Sequence, residues 1–465
     1  MKSGKFKLFQ YISICCLIII FGIVFYLTVR SLAEVNVLPE LILGRGMIVL
    51  TCCYCVMLYI LLYLLEGLAI GRRRLLDLSF GFFMSALILD FACAAVGFFF
   101  VERHLRILLL CALIMTVFET VCGILWILVC HRAFERYHFC RDAIFIYGNR
   151  EDEDEYVRIT NTLNLYFKIT KTLSCQVGED VILQKIPESS IVYLGDIPTE
   201  IRNHILKFCQ KNRIECYGIP KISDIYIQTS EMMQLNDKLL LKYPSVGISG
   251  VRGAVKRAAD VVCSLILLAV TSPIVLVAAI LIHHEDGGPV IYRQPRVTLD
   301  GRPFVMLKLR TMRVDAEEDG ARLACKDDDR VTRVGRVLRN LHFDELPQLS
   351  NVLRGEMSMV GPRPEREEFI REYAEQIPEF PERLKVKGGL TGYAQVYGRY
   401  NSEPEDKIKY DLYYIYHYSL WLDIKLIVLT IRILFQKENT EGVEQGQINA
   451  LKKKGDDTDE RKKST

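Results

Sequence analysis

Two adjacent acidic residues, Asp344 and Glu345, begin the sequence Asp-Glu-Leu-Pro-Gln-Leu and precede an apolar run that stops at Gly355. Aspartate is a favoured helix cap, proline is tolerated in a first turn, and glycine often ends a helix. The pattern therefore predicts a short helix with both carboxylates in its first turn. The partial positive charge at a helix N-terminus keeps a carboxylate ionised and attracts phosphate, so nucleophilic attack on a phosphoryl group is the chemistry to consider.

Attack on an anionic phosphoryl group needs cations that neutralise its charge. Lys308 and Arg310 lie in the sequence Lys-Leu-Arg-Thr-Met, and Arg363 lies between two prolines that leave its guanidinium little entropy to lose. Further arginines recur at every third position before Asp344, at Arg330, Arg333, Arg336 and Arg339. Paired carboxylates with basic neighbours suit a magnesium site, so we expect Asp344 and Glu345 to hold Mg2+. On chemistry alone, a solvated helix start with surface ion pairs is the alternative.

These residues belong to a chain made of two unlike parts. Residues 1–130 hold only 17 of the charged residues, and 131–465 hold the other 98. Four stretches of the first part are apolar and long enough as helices to cross a bilayer, at residues 8–29, 46–65, 78–101 and 107–130. This contrast excludes both a single soluble globule and a fully polytopic transporter. The net charge of +3 argues against nucleic acid as the main partner.

Charged residues in and around these stretches predict their orientation. Nine Lys and Arg residues flank one side of the predicted membrane region and four flank the other, which favours both of its ends in the cytoplasm. Asp90 and Glu119 lie inside the third and fourth stretches, where an ionisable group is costly and often functional. The alternative is that they face the bundle interior, protonated or hydrogen-bonded to a neighbouring span.

The region after the fourth stretch predicts a Rossmann-like α/β module, which we place at residues 136–245. The runs at 143–147 and 190–194 are each followed by a glycine and are typical of buried strands. A helix is expected at 199–212, before a third strand. The first strand-to-helix turn lacks the Gly-x-Gly-x-x-Gly pattern and leads into an acidic run. We therefore favour a structural or oligomerising role for this module over nucleotide binding.

A fifth apolar stretch, residues 261–282, is interrupted by Ser272 and Pro273. Proline removes a backbone donor and clashes with the preceding turn, so we expect a kink or a break there. The sequence leaves two courses open. A kinked fifth span would place the following residues outside the cell, and a broken helix that enters the membrane and turns back would leave them in the cytoplasm.

Residues 256–435 resemble the bacterial sugar transferase family of membrane-bound polyprenyl-phosphate sugar-phosphate transferases, whose large members have a polytopic N-terminal region. The matching elements, in chain order, are Lys256-Arg257 with Asp260, Ser272-Pro273, Gly287-Gly288-Pro289 with Gln294 and Arg296, Lys308 to Met312, Asp344 to Leu349 with Asn351, Gly361 to Pro364, and Gly392 with Gln395, Gly398 and Arg399. Small departures at Thr298, Leu309 and His342-Phe343 bear on substrate detail rather than on the type of reaction.

The resemblance implies a mostly α catalytic domain at residues 250–440 with a re-entrant membrane helix broken at Ser272-Pro273, on the cytoplasmic side of the bacterial inner membrane. It implies that Asp344 attacks the β-phosphate of a nucleoside diphosphate sugar, by default a UDP-sugar, and releases the nucleoside monophosphate. Undecaprenyl phosphate then attacks the sugar-phosphoryl aspartate and initiates exopolysaccharide, capsule or O-antigen synthesis. Glu345 would hold Mg2+ or handle a proton. The residues expected to bind phosphate or substrate are Lys308, Arg310, Arg339, Arg363 and Arg399.

Two other functions remain open at this point. One is a metal-dependent membrane glycosyltransferase that releases the nucleoside diphosphate and uses Asp327 and Asp329, although a solvated acidic turn is the simpler interpretation of these residues. The other is a non-enzymatic membrane scaffold. The sequence also allows a homodimer, and we expect the charged tail at 441–465 to be disordered.

Overall fold

The computed structural model describes residues 2–35, 37, 45–70, 73, 75–100, 104–137, 141–148, 156, 167–243, 247–248, 250–313, 330–398 and 403–434. The chain packs into two compact units, Met1–Ile219 and Pro220–Thr465. Arg399, Asp327, Asp329 and the tail at 441–465 lie outside the described residues. Their predicted roles stay predictions.

The first unit begins with four long apolar helices: α1 (Lys2–Glu34), α2 (Arg45–Leu64), α3 (Leu75–Phe100) and α4 (Leu105–Tyr137). Each predicted membrane stretch falls largely within one of these helices, and each helix is long and apolar enough to cross a membrane. Large side chains fill the space between them. Phe82 packs edge-on against Phe21, and a Cβ at Gly123 would come within 2.2 Å of the Phe82 ring, so α4 needs a glycine there to approach α3.

A polar network is buried in this apolar bundle. The hydroxyl of Tyr54 lies 2.9 Å from Oδ1 of Asp90 and 2.5 Å from Oε1 of Glu119, and the hydroxyl of Thr116 donates to Oδ2 of Asp90 at 2.8 Å. Asp90 is 4% exposed and Glu119 is 0% exposed. The interpretation that the two acids face the bundle interior and hydrogen-bond to neighbouring helices is confirmed.

The α/β region of the first unit is built around a four-stranded parallel sheet. Its strands are β1 (Arg141–Tyr147), β2 (Phe167–Ser174), β3 (Ile191–Leu194) and β4 (Glu215–Gly218), in the order β2-β1-β3-β4, with helices α5 (Glu179–Lys185) and α6 (Thr199–Lys211). Successive residues of β1 enter two different cores: Ile144 packs with Ile205 of α6, and Phe145 packs with Phe167 of β2. The predicted α/β region is confirmed, although β2 was not foreseen. Its Rossmann-like character stays a prediction.

The described part of the second unit is mostly helical. In chain order it contains α7 (Ile222–Gln228), β5 (Glu231–Leu235), β6 (Lys238–Lys242), α8 (Gly250–Asp286), β7 (Ile291–Val297), β8 (Pro303–Leu309), α9 (Arg333–Asn340), α10 (Gln348–Arg354), β9 (Ser358–Val360), α11 (Glu367–Gln376), β10 (Gly389–Thr391), α12 (Tyr393–Tyr397), α13 (Pro404–Tyr416) and α14 (Leu420–Leu434). Strands β7 and β8 form an antiparallel hairpin, and β9 pairs with β10 in parallel.

Helix α8 continues through Pro273, so the expected break at Ser272-Pro273 is not observed. Pro273 has no N–H to donate to the carbonyl of Ala269, four residues earlier. The hydroxyl of Ser272 donates to that carbonyl at 3.0 Å instead, which keeps the acceptor satisfied in an apolar environment. Helix α8 is also long and apolar enough to cross a membrane. The re-entrant course stays a prediction.

Polar side chains in the first half of α8 tie this helix to the rest of the second unit. The ammonium group of Lys256 lies 2.6 Å from Asp423 of α14, and Arg257 donates to the carbonyls of Val352 and Leu353 at the end of α10. Asp260 accepts hydrogen bonds from the hydroxyl of Ser358 and from the next backbone N–H, both at the start of β9. Helix α8 is thereby joined to α10, β9 and α14.

Candidate active site

Asp344 and Glu345 lie in a single 3-10 turn, Phe343–Glu345, and α10 begins only at Gln348. The expectation that both carboxylates occupy the first turn of the helix is therefore wrong by one turn. The predicted end of the helix at Gly355 is confirmed, because this glycine caps α10 with a φ of 84°. The carboxylates therefore precede the helix, and burial together with neighbouring charged side chains shifts their pKa values.

Two of the predicted phosphate-binding cations meet at Glu345. The Lys308 ammonium donates to Oε1 at 2.9 Å, and the Arg363 guanidinium contacts both oxygens, at 2.5 Å to Oε1 and 3.3 Å to Oε2. The Glu345 side chain is 16% exposed. Burial raises the pKa of this carboxyl, but Arg363 and Lys308 outweigh burial and hold the pKa well below its ordinary value. Glu345 is therefore an ionised carboxylate held between two cations.

Asp344 has a different environment although it is the next residue. It is 9% exposed, and within the part of the chain that the structure describes its carboxylate has no hydrogen bond or ion pair. Burial, and then the charge of Glu345, raise the pKa of Asp344, while Lys308, Arg339 and His342 partly oppose this. A carboxylate of raised basicity with unengaged oxygens, close to cations, is suited to attack an electrophilic phosphorus.

Arg339 is brought to the same site by α9. Thr332 caps this helix by accepting from the N–H of Gly335, and a Cβ at Gly335 would lie 2.1 Å from the carbonyl oxygen of Thr311. Glycine thus allows α9 to pack against the segment that follows β8. The guanidinium of Arg339 then donates to the hydroxyl of Thr311 at 2.9 Å, close enough to Asp344 to lower its pKa.

Arg310 is placed differently from the other predicted cations. Its guanidinium contacts both carboxylate oxygens of Asp286 at the end of α8 and donates to the carbonyl of Pro289 at 2.6 Å. The side chain is 7% exposed. The structure thus brings Lys308, Arg339 and Arg363 together around the carboxylates, whereas Arg310 joins the end of β8 to the end of the membrane helix.

Other residues that support the site have no local sequence pattern. Asn351 donates to the carbonyl of Val305 at 2.8 Å and accepts from the N–H of Leu307 at 3.1 Å, which fixes the strand that carries Lys308. Arg383 pairs with Asp411 at 2.8 Å behind Arg363. The family resemblance pointed to Asn351, but neither Arg383 nor Asp411 was foreseen, because only the fold brings these distant positions together.

The donor set fits a magnesium ion that is shared with a substrate. Among the described residues there is no group of three or more His, Cys, Asp or Glu side chains that could hold a metal ion by themselves. Mg2+ commonly takes only one or two protein carboxylates and completes its octahedral shell with water and substrate phosphates. Asp344 offers unengaged oxygens for this purpose, whereas those of Glu345 are occupied by Lys308 and Arg363.

Residues 251–437 match the model of the bacterial sugar transferase family. This range contains the carboxylate pair and the three cations around it. A relative from Caulobacter vibrioides, named UDP-glucose:undecaprenyl-phosphate glucose-1-phosphate transferase, is 45% identical over 189 residues, which are 40% of this chain and 71% of the relative. The chain belongs to the bacterial sugar transferase family.

Two longer relatives show how far the similarity reaches. UDP-N-acetylgalactosamine-undecaprenyl-phosphate N-acetylgalactosaminephosphotransferase of Aeromonas hydrophila is 38% identical over 229 residues, 49% of this chain and 53% of that protein. UDP-glucose:undecaprenyl-phosphate glucose-1-phosphate transferase of Escherichia coli is 37% identical over 218 residues, 46% of this chain and 47% of that protein. The chain thus spans about half the length of these curated relatives.

Proposed function

We propose that this protein transfers a sugar 1-phosphate from a nucleoside diphosphate sugar to undecaprenyl phosphate and releases the nucleoside monophosphate. The observation that carries this proposal is the contrast between the engaged Glu345 and the unengaged Asp344, with Lys308, Arg339 and Arg363 around them. The names of the relatives support a UDP-sugar as donor, with UDP-glucose and UDP-N-acetylgalactosamine as the first candidates.

The reaction has two steps. In the first, an oxygen of Asp344 attacks the β-phosphorus, a bond forms between that oxygen and phosphorus, and the bond to the bridging oxygen breaks so that the nucleoside monophosphate leaves. In the second, a phosphate oxygen of undecaprenyl phosphate attacks the same phosphorus and releases Asp344. The cations offset the charge that accumulates when an anionic nucleophile approaches an anionic phosphoryl group.

Asp344 would hold Mg2+ together with the diphosphate of the donor, and Glu345 would join it once Lys308 or Arg363 exchanges its contact for a substrate oxygen. The ion would supply further positive charge for the leaving phosphate. Lys308 and Arg363 keep Glu345 ionised and orient it. Because these two cations already contact a carboxylate, they can exchange part of that contact for substrate oxygens without an unpaired charge appearing at the site.

The long apolar helices make this a membrane protein, which suits a lipid-linked acceptor. We place the catalytic unit on the cytoplasmic face of the bacterial inner membrane, because the flanking Lys and Arg residues favour cytoplasmic ends for the first four helices and nucleotide sugars are cytoplasmic substrates. The pathway served would be exopolysaccharide, capsule or O-antigen synthesis. A homodimer is compatible with this function.

Release of nucleoside monophosphate tests the proposal. The full-length protein in nanodiscs would be incubated with Mg2+, undecaprenyl phosphate and either UDP-glucose or UDP-N-acetylgalactosamine, and we expect UMP with one of them. Without the acceptor, intact mass spectrometry should detect a sugar-phosphate adduct on the peptide that contains Asp344. Release of UDP would overturn the proposal and favour a metal-dependent glycosyltransferase. Asp344→Asn should abolish both UMP release and the adduct. Asp300→Asn is the matched control for that variant and should keep both, since the side chain of Asp300 is 65% exposed.

A further inference from the structure

A buried ion pair lies behind the Pro-Arg-Pro loop, which consists of Pro362, Arg363 and Pro364. Arg383, in a 3-10 helix at Phe380–Lys385, points its Nη2 nitrogen at Oδ2 of Asp411 on α13, at 2.8 Å. Both side chains are buried, at 4% and 1% exposure. Neither belongs to the carboxylate and cation cluster described above.

The same nitrogen of Arg383 reaches the loop. Nη2 donates to the backbone carbonyl of Arg363 at 3.0 Å. One nitrogen thus lies between Asp411 and Arg363, and the guanidinium of Arg363 in turn donates to Glu345. The contacts form a continuous chain from α13 to the candidate active site. Among the described residues, Oδ2 of Asp411 and Nη1 of Arg383 are buried without a hydrogen-bond partner, so Asp411 holds the guanidinium by charge at 2.8 Å while Nη2 donates to the loop. The planar guanidinium holds its donors in a fixed geometry, which a lysine ammonium on a flexible stem lacks.

Backbone hydrogen bonds already fix the start of the loop. The N–H of Gly361 donates to the carbonyl of Thr391 at 2.9 Å, and the N–H of Gly389 donates to the carbonyl of Pro362 at 2.8 Å. Just beyond the loop, Glu365 pairs with Arg296 at 3.1 Å. The carbonyl of Arg363 lies between these ties, and the bond from Arg383 determines how that peptide is oriented.

The pair is poorly suited to a purely stabilising role. Burial raises the pKa of Asp411 to about 6, which means that the interior disfavours its ionised form even with Arg383 beside it. Buried ion pairs often contribute little net stability compared with apolar residues of similar volume, although removal of one partner is costly. A role in orienting the Pro-Arg-Pro loop would explain why a buried ion pair is present here although it contributes little net stability.

We infer that Arg383 and Asp411 are positioning residues that aim the guanidinium of Arg363 at Glu345 and at the phosphates of the donor. This inference rests on the proposed function. A small rotation of the Arg363 peptide would move the end of its long side chain by an ångström or so, and errors of that size in the placement of charged groups cost about tenfold to a hundredfold in rate.

Two variants test the inference by kinetics. Arg383→Lys keeps a cation for Asp411 but loses the fixed double contact, and Asp411→Asn keeps the volume but removes the charge. We expect each variant to lower kcat for UMP release about tenfold, with KM for the nucleotide sugar changed by less than about twofold, because the misplaced group acts mainly in the transition state. In an Arg363→Ala background, Arg383→Lys should cause almost no further loss.

A packing control separates positioning from general destabilisation. Leu412→Ala removes a fully buried side chain next to Asp411 on the same helix, and we expect a lower melting temperature together with a loss in kcat that is equal with and without Arg363→Ala. If the loss caused by Arg383→Lys is also equal in both backgrounds, the inference is overturned. The same holds if Arg383→Lys leaves kcat unchanged.

A second readout does not depend on transfer. If the wild-type protein releases no UMP, the proposed function fails, but hydrogen exchange can still be measured at the amides of residues 361, 363 and 365. Faster exchange in Asp411→Asn than in Leu412→Ala at matched stability supports the positioning role. Equal exchange in the two variants contradicts it.

Discussion

The protein buries two pairs of acidic side chains, one in the membrane bundle and one in the catalytic unit, and the two pairs have opposite surroundings. In the bundle, the described neighbours that bond to Asp90 and Glu119 are the hydroxyls of Tyr54 and Thr116. In the second unit, Glu345 forms ion pairs with Lys308 and Arg363. Similar burial thus leads to different chemistry, because the partners decide which charge state is stable.

The hydroxyl of Tyr54 lies between the two carboxyl groups of the bundle. A tyrosine hydroxyl has one hydrogen, yet the oxygen of Tyr54 is within hydrogen-bond distance of both bundle carboxyls. One hydroxyl hydrogen therefore serves two carboxyl groups in the bundle. The bundle pair is held by hydroxyl groups, whereas Glu345 of the candidate site is held by cations that favour its ionised form.

The largest expected effect is the loss of activity when an aspartate of the candidate site, but not one of the bundle, is changed to asparagine. Asp344→Asn should lower UMP release about 10^3-fold or more, because the amide is no nucleophile. Asp90→Asn, the matched change in the bundle, should leave kcat within about threefold once it is normalised to folded protein, since hydroxyls can still bond to the amide. Comparable losses in the two variants would mean that the bundle takes part in catalysis.

Removal of one cation from the catalytic pair should have the next largest effect. Arg363→Ala leaves Glu345 with Lys308 alone and is expected to lower kcat about 10^2-fold, the usual cost of deleting one charge-stabilising donor. Arg363→Lys should recover part of that loss, because charge returns without the double contact. Steady-state rates with the preferred UDP-sugar give the measurement. Full activity in Arg363→Ala would remove this residue from the proposed site.

A change in the bundle network should affect stability and not rate. Tyr54→Phe removes the shared hydroxyl and is expected to cost about 1–3 kcal/mol of unfolding free energy, seen as a lower melting temperature in nanodiscs, with kcat unaltered. The control is Tyr63→Phe on the same helix, because Tyr63 is 65% exposed. Equal melting temperatures for these two variants would show that the network contributes no stability.

The smallest effect concerns another buried carboxyl, that of Asp411, whose pKa is raised to about 6. The folded protein binds this proton more tightly than the unfolded chain, where an aspartate titrates near about 4. The contribution of Asp411 to stability is therefore present below about pH 4 and is lost as the pH rises through about 6. Between about pH 5 and pH 6, wild type should lose about 1 kcal/mol relative to Asp411→Asn. A constant difference would place the Asp411 pKa elsewhere.

Local sequence patterns were sufficient for most of the helices and strands and for several of the residues that meet at the candidate site. Apolar length predicted the long apolar helices, and strand and glycine signals predicted most of the α/β region. The motifs indicated that Lys308 and Arg363 lie near the paired carboxylates, and both contact Glu345. These patterns succeeded because charge, length and backbone preference act over a few residues. The same patterns misplaced the start of α10, which begins at Gln348. Of the kink or break expected at Pro273 a break is not observed; the contact between the Ser272 hydroxyl and the carbonyl of Ala269 depends on a rotamer and not on spacing.

Only the tertiary structure decided which groups share a site. Arg310 pairs with Asp286 and not with Asp344 or Glu345, and Arg383 meets Asp411 across 28 positions of sequence. Such pairings follow from the docking of whole elements, and no local pattern encodes their distance. The sequence by itself determined that a membrane-bound chain carries two acidic side chains next to each other with cations in reach. The fold determined that Glu345 is engaged and Asp344 is left unengaged, because burial and partner geometry exist only when the chain is packed.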